Sequence, residues 1–319
     1  MAGQLPSKIL IFGATGNIGK YITNAIVSAK PPIAQQISIF TSQATASSPS
    51  KQDLLSSWKS QGVSVITGDL NDADDVRKAY NGIDTVISCL GRNALLSQIE
   101  LLKLAEESKD VQWFFPSEYG TDIEYDSSSK NEKPHQGKLR VREFIRDNLK
   151  RVKCTYVVTG PYIEMFLPLA PVAEDAGGFD TKSKRAVVVG SGDEKVGFTT
   201  MPDVGKLVVA ALRHPKVSMG KALKVQSFVT TPNAIVAEFE RQTGSKWTVE
   251  HTSNQRLREV EKEKWDANSP IATLYTLKRI WAEGGTLYDR TDNEVLGLKP
   301  EDMEPLSVAV KKAVNGEGY

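Results

Sequence analysis

Two cysteines are too few for a disulfide scaffold, and at 319 residues the chain can bury a core without one. Cys89 and Cys154 both fall inside apolar, strand-like runs, so buried free thiols in a reducing compartment are expected. No leader and no transmembrane stretch is visible: the N-terminus enters an apolar strand within about ten residues, which points to a cytoplasmic protein without a membrane partner. An excess of one charge is also missing, since 40 basic residues balance 39 acidic ones to a net +1. No run of Lys or Arg is long enough for a nucleic-acid face, so the default partner is a small molecule. Neither a repeat nor a low-complexity tract stands out, and no metal is expected.

What is present is organised around Lys8 to Gly19. The run Ile9 to Phe12 suits a strand buried on both faces of a parallel sheet. Gly13, Gly16 and Gly19 follow, and then Ile22, Ala25, Ile26 and Ala29 recur with helical spacing. Strand, glycine turn and helix in that order is the context in which such glycines bind a dinucleotide rather than only mark a turn. The first allows a tight turn, the second exposes bare backbone to a pyrophosphate, and the third lets helix and strand pack closely. Thr15, Asn17 and Ile18 complete the cradle, whose ligand meets the positive end of the helix. The expected fold is therefore α/β, a doubly wound parallel sheet of Rossmann type.

Further along, Gln36 to Phe40 reads as the second strand. An acid at its end would favour NAD, but Thr41, Ser42 and Gln43 stand there and Asp53 is the first carboxylate of the chain. Ser42 and Lys51 would hold a 2′-phosphate, which favours NADP; alternatively Ser47 to Ser50 form only a polar loop before a helix. Asp69 is open between an adenine contact and a turn or cap role. Asp84 to Ser88 is the fourth strand, and Ser88, Cys89 and Leu90 should lie over the cofactor, because ligands bind beyond the carboxyl ends of such strands. Gln98 either reaches the site or lies on the surface. Val111 to Phe115 ends in Pro116-Ser117-Glu118-Tyr119-Gly120, where active-site groups are expected. Ser117 is assigned to the cofactor side, Glu118 and Tyr119 to the substrate side.

Residues 121–133 read as a polar loop able to cover the site, before a helix opened by Pro134. On it, Lys138 has Arg142 four residues on, a like charge that would lower its pKa; by spacing alone, both could equally belong to a solvated face. His135, one turn earlier, is the nearest rival, or a surface histidine. Cys154 to Thr159 is the sixth strand, with Pro161 and Tyr162 at its carboxyl end on the cofactor side and Glu164 and Phe166 on the substrate side. Residues 185–189 and 195–199 suggest a hairpin, and Pro202 opens a helix. Trp265, Tyr275, Trp281 and Tyr288 would wall a pocket or pack a core. The expected division is a Rossmann domain over 1–160, with 195–215 returning to it, and a smaller α+β substrate domain from 161–194 and 216–319.

The glycine turn, Gly68-Asp69-Leu70 and above all Phe114-Phe115-Pro116-Ser117-Glu118-Tyr119-Gly120 together resemble the NmrA-like, isoflavone-reductase-like branch of the atypical short-chain dehydrogenases. Lys59 to Val63, Phe166-Leu167-Pro168, Gly190-Ser191-Gly192 with Phe198, and Asp203-Val204-Gly205 extend the likeness over at least residues 7–245. The resemblance implies an NADPH-dependent reductase acting on an aromatic or phenolic small molecule, as a monomer or homodimer. It also implies that Lys138, in Gly137-Lys138-Leu139-Arg140-Val141-Arg142, is the general acid or base. Thr41 stands where the family usually has a phosphate-gripping arginine, which leaves Ser42 and Lys51, and Gly160-Pro161 replaces a Ser-Asn pair. The Tyr-x-x-x-Lys pair of ordinary short-chain dehydrogenases is absent. A regulatory NADP sensor and a non-redox isomerase or cyclase are the alternatives.

Overall fold

The computed structural model describes residues 5–317. Six parallel strands, β1 (Lys8–Phe12), β2 (Gln36–Thr41), β3 (Ser64–Thr67), β4 (Thr85–Ser88), β5 (Trp113–Phe115) and β6 (Lys153–Cys154), form one sheet in the order β3-β2-β1-β4-β5-β6. Alternation along β1 shows why helices cover both faces. Ile9 and Ile11 enter one core with Ile22, Ile26, Trp58 and Leu207; Leu10 and Phe12 enter the other with Val76, Tyr80, Leu101 and Phe114. The helices are α1 (Gly19–Ser28), the one-turn α2 (Gln43–Ala46), α3 (Pro49–Ser60), α4 (Ala73–Ala79), α5 (Gln98–Glu107) and α6 (Gln136–Asn148). The strand order reverses between β1 and β4, which opens a crevice at their carboxyl ends. Among the described residues, no helix is long and apolar enough to cross a membrane. Cys89 and Cys154 are buried and free.

Beyond the one-turn α7 (Ile163–Phe166), the helix α8 (Met201–Arg213) packs against α1. The approach is backbone to backbone: a Cβ on Gly205 would lie 2.6 Å from the Tyr21 carbonyl oxygen and 2.7 Å from the Ala25 Cβ. The later part of the chain builds a further core from Phe166, Phe179, Phe198, Phe239, Trp247 and Trp281. Leu223, Leu296 and Met303 do not join it but pack with the α1 and α8 core, and Ala222–Lys224 pairs in parallel with Tyr156–Val158.

Several local expectations are corrected. Arg185–Val189 and Val196–Phe198 do not form a hairpin: the first pairs with Gly178–Asp180 and Thr248–Thr252, the second with Phe228–Thr230. Both edges of 185–189 are thus taken, and the Glu194 carboxylate closes the intervening turn by accepting from the Ser191 and Gly192 amides. The sixth strand divides at Thr155, whose hydroxyl accepts from Trp113 Nε1 and donates to the Ser218 carbonyl. Arg92–Ser97 is a 3-10 turn before α5 begins at Gln98. The Ser-rich segment after β2 is largely helical, with the Ser42 hydroxyl capping α2 by accepting from Thr45 N.

The α1–α8 contact carries a prediction. Gly205→Val should destabilise the protein by about 1–3 kcal/mol, since the helices must separate to admit the side chain. A urea midpoint equal to wild type would show that they are not packed this closely.

Candidate active site

The glycine turn leaves β1 with Gly13 in the left-handed region, φ 71°. A Cβ there would sit 2.6 Å from the Cys89 carbonyl oxygen, and one on Gly19 2.1 Å from the Gly13 oxygen. Both positions therefore require glycine, and Gly16 between them is exposed, bare backbone. Gly16 N donates to the Gly13 carbonyl at 3.0 Å, and Ile18 accepts the first α1 bonds from Tyr21 and Ile22. Thr15 lies beside Lys51, whose ammonium donates to the Thr15 carbonyl at 3.1 Å although 36 residues separate them. At the end of β2 Thr41 is half-buried and Ser42 exposed, with no carboxylate on either. A cradle that any side chain would fill, with a lysine ammonium at its rim, fits a dinucleotide carrying a 2′-phosphate. Ser88 and Cys89 form the buried floor under the turn. Leu90 accepts at its carbonyl from Ser117 Oγ at 2.9 Å.

Lys138 stands across the crevice, in the first turn of α6. Its ammonium donates to the Glu118 backbone carbonyl at 2.5 Å, while its side chain keeps 21 % exposure. The Glu118 carboxylate is turned elsewhere: Oε1 accepts from Arg142 Nε at 3.0 Å, and Oε2 stays 3.9 Å from the Lys138 ammonium. Arg142 also pairs with Glu124 and stacks over the Tyr156 ring. Burial lowers the Lys138 pKa; Glu118 opposes that shift, and Arg142 and Arg92 add to it.

Beside this ammonium is a cavity of about 220 Å³, walled by Tyr119, His135, Pro161, Tyr162 and Trp281 among others. The Tyr162 hydroxyl donates to the Tyr119 carbonyl, and Trp281 Nε1 donates to Thr121 Oγ1. A second cavity of about 250 Å³ is lined by Asn17, Lys20, Glu164, Met165, Pro168 and Met201. Met165 lines both cavities. Glu164 is buried; Oε1 accepts from Met201 N at 2.9 Å and Oε2 has no partner. Burial raises its pKa to about 7.

Tyr119, Pro161, Tyr162 and Lys138 thus share one cavity, and Glu164 shares the other with Asn17. Besides Glu164, which lines the other cavity, two residues expected to face substrate do not line the Lys138 cavity. Glu118 is turned into the protein by Arg142, and Phe166 lies in the aromatic core, 4.8 Å from the Phe198 ring. Gln98 and His135, for each of which a surface place was one of two readings, are both buried. Gln98 accepts from Ser117 N at 2.7 Å, and His135 is 2 % exposed in the cavity wall. Of the four late aromatics Trp281 reaches the cavity, together with Leu277. Asp69 serves its own turn by accepting from Asn71 N. Sequence reasoning missed Arg92, on a 3-10 turn, and Met165, on the one-turn α7, elements too short to carry a periodic signal.

Known proteins resemble this chain along most of its length. The potato (Solanum tuberosum) isoflavone reductase homolog is 31 % identical over 247 residues, covering 76 % of each chain. The chickpea (Cicer arietinum) isoflavone reductase is 27 % identical over 319 residues, covering 94 % of this chain and 96 % of its own. The solved binary complex of leucoanthocyanidin reductase with NADPH from Vitis vinifera superposes with a TM-score of 0.79 at 20 % identity, over 97 % of this chain and 100 % of that one. The family model described as NmrA-like matches residues 6–304, and with the glycine cradle and sheet order already in place, the chain belongs to the NmrA-like family.

Proposed function

We propose that the chain is an NADPH-dependent reductase of an aromatic or conjugated small molecule, with Lys138 as its general acid or base. The observation that carries this is the Lys138 ammonium, tethered to a backbone carbonyl in a largely apolar cavity that shares Met165 with a second cavity beside Asn17 of the glycine turn. The reductase names of the relatives support the same class. Bound NADPH would supply a hydride from its nicotinamide. The amides around Gly13, Gly16 and Gly19 hold the diphosphate, and Lys51 neutralises the 2′-phosphate, with Thr41 and Ser42 leaving the room an acid would deny it. Ser88, Cys89, Leu90 and Ser117 form the floor beneath.

Lys138 gives or takes the proton at the reacting centre. Its bond to the Glu118 carbonyl fixes the amine, and its lowered pKa brings proton transfer closer to neutral pH. Tyr119, Pro161, Tyr162, Leu277 and Trp281 exclude water and clasp an aromatic ring. In this reading residues 161–194 and part of 216–319 act as the substrate-facing lobe.

Three outcomes are expected. Lys138→Met should bind NADPH within about threefold of wild type but lose about 10²- to 10⁴-fold in turnover. Tight NADPH binding with no oxidation across a panel of phenolic enones and ethers by wild type would sink the reading. Lys51→Ala should weaken NADPH about tenfold, a loss of about 1.4 kcal/mol, and leave NADH affinity alone; equal losses for both would remove its phosphate role. Because the Glu164 carboxyl titrates near pH 7, its ionised form accumulates as pH rises and opposes the nearby diphosphate. NADPH affinity, followed by fluorescence titration, should fall as pH rises through 7 in wild type and stay level across that change in Glu164→Gln.

A further inference from the structure

Arg92 is the second cation in the wall of the Lys138 cavity, and the proton transfer at Lys138 does not require it. It opens the 3-10 turn Arg92–Ser97 that follows β4. That turn is held in place. Leu95 packs on the start of α6, where a Cβ on Gly137 would come within 2.9 Å of the Leu95 Cδ2. The Leu95 carbonyl also accepts from Gln98 Nε2 at 3.0 Å, and Oε1 of the same side chain accepts from Ser117 N. Arg92 is therefore carried by a turn packed against the residue before Lys138, and its charge is close enough to lower the pKa of that lysine.

The guanidinium has no counter-ion. Among the described residues Arg92 makes no ion pair and no side-chain hydrogen bond, and no Asp or Glu lines the cavity. The acids that flank the lining residues in the chain are engaged elsewhere: Glu118 with Arg142 at 3.0 Å, Asp122 with Lys224 at 2.9 Å, and Glu132 with Arg279 at 2.7 Å. Glu164 lines the other cavity, and burial holds it toward its neutral form. The Lys138 cavity thus presents two cations and no anion. Arg92 is exposed, so a solute can reach it, while the walls strip part of its water and draw its pKa below the ordinary value, a shift that no acid opposes.

We infer that Arg92 binds a carboxylate on the substrate, so that the cavity selects an aromatic or conjugated acid over its neutral analogues. This rests on the reductase reading for the aromatic or conjugated framework and adds the charged group that the substrate carries. The planar guanidinium fork matches a planar carboxylate through two parallel charge-assisted bonds. The apolar remainder of the molecule lies against Tyr162, Leu277 and Trp281 in the 220 Å³ cavity. A phosphate of the cofactor is the rival anion, but Arg92 does not line the cavity beside Asn17 of the glycine turn, and Lys51 stands at the rim of the cradle.

The test uses para-carboxybenzalacetone and its primary amide, which keeps the shape without the charge, titrated by calorimetry into the full-length protein saturated with NADP+, where the oxidised cofactor has no hydride to give. The acid should bind at least about tenfold more tightly than the amide to wild type. Arg92→Met should reduce that preference below about threefold, with NADP+ affinity within about threefold of wild type. Arg92→Lys, which keeps the charge without the fork, should retain part of the preference. Equal affinity of the pair for wild type, an undiminished preference in Arg92→Met, an equal loss for acid and amide in that variant, or no binding of either compound overturns the assignment. A larger loss of NADP+ affinity in Arg92→Met gives the guanidinium to the cofactor and overturns it too. NADPH oxidation by wild type is measured separately, with the acid and with neutral phenolic enones. A preference for the acid without oxidation of any enone would remove the reductase reading and leave Arg92 its role, whereas oxidation without the preference does the reverse.

Discussion

The contact between the Gly13 turn and the main chain of Cys89 is the constraint on which the crevice depends. No side chain fits where a Cβ would lie 2.6 Å from a carbonyl oxygen, and the left-handed backbone of Gly13 independently disfavours one. The turn is thereby pressed onto the end of β4, at the point where the sheet order reverses. That fixes where α1 starts and points its amides into the crevice. The packing of α8 on α1 through Gly205 braces the same helix from behind, using residues 180 positions away in the chain. The dinucleotide cradle is thus held from two sides by backbone contacts that leave almost no latitude.

The second organising feature is a division of labour within Glu118. Its carbonyl holds Lys138, and its carboxylate holds Arg142. Had the carboxylate paired with the lysine instead, the ammonium would have been stabilised and its pKa raised. Arg142 holds one oxygen of the acid and, as a like charge, works against the protonated amine. A single buried carboxylate therefore supports the helix carrying Lys138 without fully neutralising its ammonium. Glu164 also keeps one oxygen without a hydrogen bond, as Glu118 does, but no cation bonds its other oxygen, and burial holds it toward its neutral form.

The cavity walls come from distant parts of the chain. Lys138 and His135 belong to α6 and the turn before it, Pro161 and Tyr162 to the segment after the strand Tyr156–Val158, and Leu277 and Trp281 to the helix Ala272–Ala282. Trp281 is fixed by its bond to Thr121, which joins that helix to the segment after β5. This explains why the segment from 121 to 133 is not a free loop: Glu132 pairs with Arg279 at 2.7 Å, and Ser129 anchors His135. Polar composition suggested a loop able to cover the site, but long-range ion pairing and a buried histidine tie it into the wall.

The sequence by itself determined the glycine cradle, the parallel sheet and the helix bearing Lys138, because each depends on local pattern: an apolar run, glycine spacing, or a proline at a helix start. It also put Tyr119, Pro161 and Tyr162 at strand ends, but assigned Pro161 and Tyr162 to the cofactor side, whereas they line the Lys138 cavity with Tyr119. Tertiary structure alone decided what distance in the chain conceals. It turned the Glu118 carboxylate inward, took Phe166 into the aromatic core, buried Gln98 and His135, and gave the strand at 185–189 partners other than the one next in sequence. In each case the deciding partner lies many residues away or depends on which face an irregular segment presents, and periodicity reports neither.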